Sequence, residues 1–142
     1  MASDRTLAII KPDAFGRALA GQIIAHLEQA GFRLVSARVL HLTDQQAREF
    51  YAVHKDRPFY GSLVSFMTSG PCMPLVLARD DAVATLRKAI GATDPREADA
   101  GTVRKLFAES KERNAIHASD SDANAEREQA FFFAETERLR TV

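Results

Sequence analysis

The succession of apolar and polar positions predicts a chain that alternates strands and helices in the order β-α-β-α-α-β-α-α-β-α. Thr6-Leu-Ala-Ile-Ile10 is a short apolar run rich in branched residues and closed by Lys11-Pro12-Asp13. It predicts a buried strand that ends in a turn, with Lys11 at the strand end. Ile23, Ile24, Leu27 and Ala30 recur at helical spacing, and Gly31 stands where a C-terminal cap belongs. From Arg33 to Leu42, Val35, Ala37 and Val39 alternate with Leu34, Ser36 and Arg38, the period of a second strand with one face better buried, ending near His41. Thr43 and Gln46 have the form of a capping box and open a helix that runs through Phe50 and Tyr51. A loop over His54 to Pro58 follows. Phe59, Leu63, Phe66 and Met67 then predict a helix stopped by Ser69-Gly70-Pro71, and Met73 to Leu77 a third, buried strand.

The second half repeats the pattern less sharply. Asp80 or Asp81 is placed to cap a helix over Ala82 to Ile90, which Gly91 terminates. Thr93-Asp94-Pro95 reads as a turn, Thr102 to Phe107 as one or two helical turns, and Ala115 to Ala118 as a short strand. Ser121 caps a last helix through Phe133, with Ala125, Gln129 and Phe132 on one side and Glu128 close to that face. Two β-α-β crossovers around a central turn predict an α/β chain of the α+β kind: a ferredoxin-like βαββαβ fold, a four-stranded antiparallel sheet with helices packed on one face.

Composition narrows the classes of function. No linker, repeat or charge block divides the 142 residues, so residues 1–142 are expected to form a single domain. Nineteen basic residues balance nineteen acidic ones, which argues against nucleic acid or a membrane as main partner; any bound anion must be held by a local cluster. A lone cysteine, Cys72, rules out an internal disulfide framework and is expected to be a buried structural thiol. The N-terminus is too short and too early-charged for a signal peptide or membrane span, and a cytoplasmic location is the expectation.

Several familiar chemistries are missing. Gly16-Arg-Ala-Leu-Ala-Gly21 has phosphate-loop glycine spacing but lacks the Lys and Ser/Thr that complete a P-loop, so its glycines read as leading into a helix. GxGxxG, HExxH and GxSxG do not occur. The segment Asn114-Ala-Ile-His117-Ala-Ser119-Asp120-Ser121 instead puts an imidazole on a short strand, just before a helix whose capping region is rich in hydroxyls and acids. A nucleophile fits there.

Six segments occur in order: Thr6-Leu-Ala-Ile-Ile-Lys11-Pro-Asp13, Arg57-Pro-Phe59-Tyr60, Met67-Thr-Ser-Gly-Pro71, Gly91-Ala-Thr93-Asp-Pro95, Gly101-Thr-Val-Arg104 and Asn114-Ala-Ile-His117-Ala-Ser119-Asp-Ser121. Together they resemble the successive signatures of the nucleoside diphosphate kinases, at that family's spacing, from about Thr6 to Phe133. The resemblance implies that His117 takes the γ-phosphate of a nucleoside triphosphate, typically ATP, holds it as phosphohistidine and passes it to a nucleoside diphosphate of any base. By the same resemblance Glu128 orients the imidazole, Ser119 hydrogen-bonds that glutamate and Tyr51 stands beside the histidine. Tyr51 and Ser119 also fit as plain packing residues. Lys11, Arg87 and Arg104 match the phosphate-binding cations, Thr93 the phosphate-binding hydroxyl, and Lys11 with Asn114 the sugar-hydroxyl partners. Phe59 matches the aromatic on which the base stacks, a contact tolerant of every base, with an ordinary core residue as the competing reading. No protein metal ligand is implied; Mg²⁺ is expected on the nucleotide's own phosphates. A homo-oligomer built from dimers, tetramer or hexamer, is implied as well, its order left open.

The chain departs from that pattern at several positions. Ala118 replaces the glycine usual after the histidine, and Ala100 a proline before Gly101-Thr102. Lys105 and Leu106 follow Arg104 where a small residue and an aspartate are usual, so a local ion pair is expected to be lost. Lys111 stands where an apolar residue commonly covers the base, leaving only its methylene stem for that contact. Two other classes fit the sequence: a nucleotide-binding regulatory module of the same fold with little turnover, and a nucleic-acid-binding ferredoxin-like domain. The neutral charge and the lack of an aromatic pair on a strand weigh against the second.

Overall fold

A computed structural model describes residues 3–138; Met1, Ala2 and the end of the C-terminal tail, 139–142, lie outside the described residues. Four strands, β1 (Arg5–Ile10), β2 (Arg33–Ala37), β3 (Met73–Ala78) and β4 (Ile116–Ala118), form one antiparallel sheet in the order β2-β3-β1-β4. This is the ferredoxin-like order expected from the sequence. The apolar run of β1 sits centrally, and alternation sends its side chains to two cores. Ala8 and Ile10 pack with Leu75, Leu77, Ile116, Ile23, Leu27, Leu86 and Ile90 on one face, while Leu7 and Ile9 pack with Val76, Phe50, Tyr51, Met67 and Phe132 on the other. Helices therefore cover both faces of the sheet rather than the one face expected. Helices α2 (Ala20–Gln29), α5 (Ala82–Ile90) and α6 (Val103–Phe107) cover the first; α3 (Asp44–Phe50), α4 (Tyr60–Met67) and α7 (Asp122–Phe132) cover the second.

Local chemistry explains most boundaries. Helix α2 buries Ile23 and Leu27 and ends in a Schellman motif: Gly31 adopts a φ of 95°, Phe32 N–H donates to Leu27 O, and Gly31 N–H to Glu28 O. The capping box at α3 is complete, with Gln46 N–H on Thr43 Oγ1 and Thr43 N–H on Gln46 Oε1. Ser121 Oγ accepts Asn124 N–H and starts α7, and Gly91, at a φ of 89°, stops α5.

Three expectations fail for identifiable reasons. The Pro12–Asp13 turn is a short helix, α1 (Pro12–Gly16), for which proline at the first position is already set in φ. The second strand is regular only to Ala37, five residues before Leu42: beyond it the pairing with β3 thins to Arg38 N–H on Pro74 O and an isolated Leu40–Cys72 bridge, and Val39 is left 55% exposed. Neither Asp80 nor Asp81 caps α5 with its side chain. Asp81 is left-handed, and the first helical amide, Ala82 N–H, donates to Ser3 O across the fold. No helix among the described residues is long and apolar enough to cross a membrane.

Candidate active site

His117 lies in β4, an edge strand, opposite Ile9 of β1, and its partly buried ring packs against the Phe50 and Tyr51 rings, both met edge-on at centroid distances of 5.5 and 6.0 Å. Helix α7 brings Glu128 over the same spot. His117 Nε2 lies 2.7 Å from Glu128 Oε1, and Ser119 Oγ donates to the same oxygen at 2.8 Å. A guanidinium nitrogen of Arg127 lies 3.5 Å from Glu128 Oε2. Burial pushes the His117 pKa below its ordinary value; Glu128 opposes this, while the Lys11 and Arg104 charges add to it. Burial alone would raise Glu128, but the His117 hydrogen bond and charge, with the Ser119 bond and Arg127, hold it below the usual carboxylate value. An ionised Glu128 beside a neutral ring fixes the tautomer: Nε2 carries the proton and donates it, so Nδ1 carries the lone pair.

Cations bracket this strand. Because β4 is an edge, its outward carbonyls have no neighbouring strand, and two arginines take that place. Arg104, set by α6 behind the Thr102 cap, donates from Nη2 to Ile116 O at 2.7 Å and from Nη1 to Gly91 O at 3.1 Å. Arg87 of α5 donates from Nη1 to Ala118 O at 3.2 Å. His117 thus stands between two carbonyls that each hold a guanidinium. Lys11, at the end of β1 as expected, is buried and donates from Nζ to Asn114 Oδ1 at 2.8 Å; Asn114 Nδ2 donates to Thr93 O at 3.4 Å. Burial, then the Arg104 charge, pushes Lys11 down to about 8, with Asp13 opposing. Burial and Arg87 push Arg104 down to about 10.

Beside Lys11 opens a cleft of about 550 Å³ lined by Lys11, Phe59, Ser62, Leu63, Thr93, Lys111, Glu112 and Asn114. Four of the residues singled out from sequence, Lys11, Phe59, Thr93 and Asn114, share it, and Phe59 is half exposed there rather than a core residue. His117, Glu128, Ser119, Tyr51, Arg87 and Arg104 are not in its lining; Lys11 links the two groups through its bond to Asn114 and its charge on His117. Tyr51 Oη is buried with no hydrogen-bond partner among the described residues, and burial drives its pKa up so that the hydroxyl stays protonated. Leu106 is half exposed; backbone carbonyls hold the two Nη atoms of Arg104, while its buried Nε has no hydrogen-bond partner among the described residues, in keeping with the expected loss of an ion pair.

Sequence reasoning missed three contributors. Asp13, read as part of a turn and as the end of the first of the six segments but given no role, is a buried carboxylate whose Oδ2 accepts Ala115 N–H at 3.0 Å. Arg127 approaches both Glu128 and the Phe50 ring, and Ser62 donates to Glu112 in the cleft wall. Only the adjacency of Arg127 to Glu128 was visible beforehand.

Known proteins bear on the same residues. A family model described as nucleoside diphosphate kinase matches residues 4–138. The nucleoside diphosphate kinase of Chlorobium chlorochromatii is 56% identical over 138 residues, covering 97% of this chain and 99% of that protein. That of Gluconacetobacter diazotrophicus is 57% identical over 139 residues, covering 98% and 99%. Among solved structures, the Aquifex aeolicus nucleoside diphosphate kinase superposes with a TM-score of 0.93 at 41% identity, over 96% of this chain and 99% of that one. The Halobacterium salinarum nucleoside diphosphate kinase, solved in complex with CDP, also gives 0.93 at 38% identity, over 97% and 92%. With likeness of this depth along nearly the whole sequence and a matching fold, the chain belongs to the nucleoside diphosphate kinase family of phosphotransferases.

Proposed function

We propose that the chain moves the γ-phosphate of a nucleoside triphosphate, typically ATP, to a nucleoside diphosphate in two half-reactions through a phosphohistidine at His117. The 2.7 Å contact between His117 Nε2 and Glu128 Oε1 carries this reading, because it commits one ring nitrogen as donor and leaves Nδ1 as nucleophile. The Nδ1 lone pair attacks the γ-phosphorus; an N–P bond forms, the bond to the β–γ bridging oxygen breaks, and its electron pair leaves on the diphosphate. Nε2 keeps its proton, and Glu128 balances the ring's positive charge. An acceptor's β-phosphate oxygen then attacks phosphorus, and the N–P electron pair returns to Nδ1.

The remaining residues take roles in the same reading. Lys11, Arg87 and Arg104 meet the charge spread over the phosphoryl oxygens, and Thr93 offers a hydroxyl to the phosphates. Lys11 and Asn114 reach the sugar hydroxyls. Tyr51 presents its hydroxyl near the reacting phosphate, and Ser119 acts through Glu128. Phe59 stacks the base in the cleft that Lys111 also lines, a contact tolerant of every base, and a relative solved with CDP supports pyrimidines among them. The family also implies Mg²⁺. The cleft lining offers one carboxylate, Glu112, bonded to Ser62, beside cations, hydroxyls and an amide, a donor set that fits an ion carried mainly on nucleotide phosphates. There it would neutralise phosphate charge. We further read residues 1–142 as one domain, acting in the cytoplasm as a homo-oligomer built from dimers.

Labelling tests the proposal. Incubation with γ-labelled ATP and no acceptor is expected to leave an acid-labile, alkali-stable phosphate on the protein, discharged by GDP or CDP alike, and His117→Ala to abolish it. Phosphate on the alanine variant, or discharge by one base only, contradicts the mechanism. A protein that binds ATP without taking phosphate is the regulatory module of little turnover instead.

A further inference from the structure

Between the cleft residue Asn114 and the His117 strand the backbone makes an unusual turn. Ala115 has a φ of 74°, and Ile116 N–H donates to Asn114 O at 2.9 Å, a hydrogen bond two residues long. A γ-turn of this hand is rare and strained, and a residue with a Cβ does not adopt it without restraint. The restraint comes from the other end of the chain. Lys11 N–H donates to Ala115 O at 2.9 Å, and Asp13 Oδ2 accepts Ala115 N–H at 3.0 Å. Both backbone polar groups of Ala115 are therefore gripped by two residues on either side of Pro12, Lys11 and Asp13.

We propose that Asp13 is a positioning residue whose carboxylate clamps Ala115 in the γ-turn, so that Asn114 meets Lys11 at the nucleotide cleft and β4 begins in register at Ile116. The turn is short enough to leave no slack: Asn114 Oδ1 already accepts from Lys11 Nζ at 2.8 Å, and Ile116 pairs with Ile10. Helix capping does not explain the Asp13 carboxylate. Its side chain is fully buried, one oxygen is spent on an amide far along the chain, and the other has no hydrogen-bond partner among the described residues. Arg17 stands 4.0 Å from Oδ2, at the limit of an ion pair. The same carboxylate is the group that opposes the burial and Arg104 effects on Lys11, so it acts on the cleft by position and by charge.

This inference rests on the reading of Lys11 and Asn114 as nucleotide-binding residues. It is tested on the full chain with Asp13→Ala, Asp13→Asn and the double variant Asp13→Ala with Ala115→Gly. Two readouts need no turnover: amide hydrogen exchange at residue 115 and ADP affinity by titration calorimetry. The alanine variant is expected to lose protection at that amide and to bind ADP about tenfold more weakly, the scale of one charge-assisted hydrogen bond. Asparagine keeps an acceptor and is expected to stay within about threefold of the parent protein, a neutral bond being weaker than a charged one. Glycine at 115 adopts the turn without strain and is expected to recover part of the affinity lost with alanine.

Unchanged ADP affinity in Asp13→Ala overturns the proposal, even with a lower melting temperature, since Asp13 then only supports the fold. So does an asparagine variant as weak as alanine, or a double variant no better than the single one. If Asp13→Ala does not fold, Asp13→Glu, one methylene too long for the clamp, carries the same tenfold expectation. A parent protein that binds ADP but takes no phosphate from ATP sinks the phosphotransfer reading alone, because neither readout depends on it.

Discussion

Nucleotide affinity should fall with rising pH because of Lys11, and the structure sets both the window and the size. Burial, then the neighbouring Arg104 charge, moves this ammonium from 10.5 to about 8 in the free protein, which makes its charged form costlier by about 3 kcal/mol at roughly 1.4 kcal/mol per pH unit. Phosphates arriving beside it favour the charged form and restore the proton. The complex then binds more protons than the free protein above about pH 8, and linkage requires affinity to weaken as pH rises through that value. With a free value of about 8, ADP should bind about eightfold more weakly near pH 9 than near pH 7.5, with about 0.9 of a proton taken up at the higher pH.

Folding has the opposite sign. The folded value is depressed below the unfolded one, so between about 8 and 10.5 the unfolded chain holds more protons, and the Lys11 contribution to stability rises with pH. Calorimetric titrations of ADP in two buffers of different ionisation enthalpy measure the proton directly. A Lys11→Met protein should bind weakly and without this pH dependence. If the parent protein shows less than a twofold change across the window and no proton uptake, the account of a discharged, buried lysine is wrong.

Two further outcomes test the surroundings. Gly91→Ala would place a Cβ 2.5 Å from Thr102 Oγ1 at a φ of 89°, behind the carbonyl that holds Arg104. We expect it to cost about 2 kcal/mol or more and to lower kcat, and a thermal melt indistinguishable from the parent's would contradict the packing described. Tyr51→Phe removes a buried hydroxyl that has no hydrogen-bond partner among the described residues, so stability should rise by about 1 kcal/mol while kcat falls. A variant that is both less stable and fully active would make Tyr51 a packing residue only.

Elements whose signals are local were legible in the sequence. The Ile23–Leu27 spacing with Gly31, the Thr43–Gln46 box and the Ser121 cap each act within a few residues, and each appears where expected. What escaped depends on distant partners. Ala82 N–H is satisfied by Ser3 O, so no cap had to be encoded beside α5, and the thinning of β2 after Ala37 is a property of its pairing with β3. Five residues of α1 are too few to show a period. The site divides the same way: Lys11 at a strand end follows from hydrophobic pattern, whereas Glu128 looks like any solvated helix glutamate until α7 lies across β4. Asp13 could not be singled out, because its partner is an amide, which has no identity in a sequence.

The departures after Arg104 acquire a meaning from how the cations are held. Lys11 donates to an amide oxygen, Arg87 to Ala118 O, and Arg104 to Gly91 O and Ile116 O. These partners are neutral, and Glu128, the carboxylate nearest the histidine, is occupied by His117 and Ser119. Positive charge in the site is therefore fixed in place and partly compensated, by Asp13 acting on Lys11 and Asp120 on Arg87; burial first, and repulsion between these cations second, pushes Lys11 and Arg104 down, and burial leads in lowering His117. An aspartate where Leu106 stands would bring a competing anion to this neighbourhood. Its absence leaves Arg104 oriented by backbone alone, and any phosphate that enters gains the electrostatic partner the protein itself withholds.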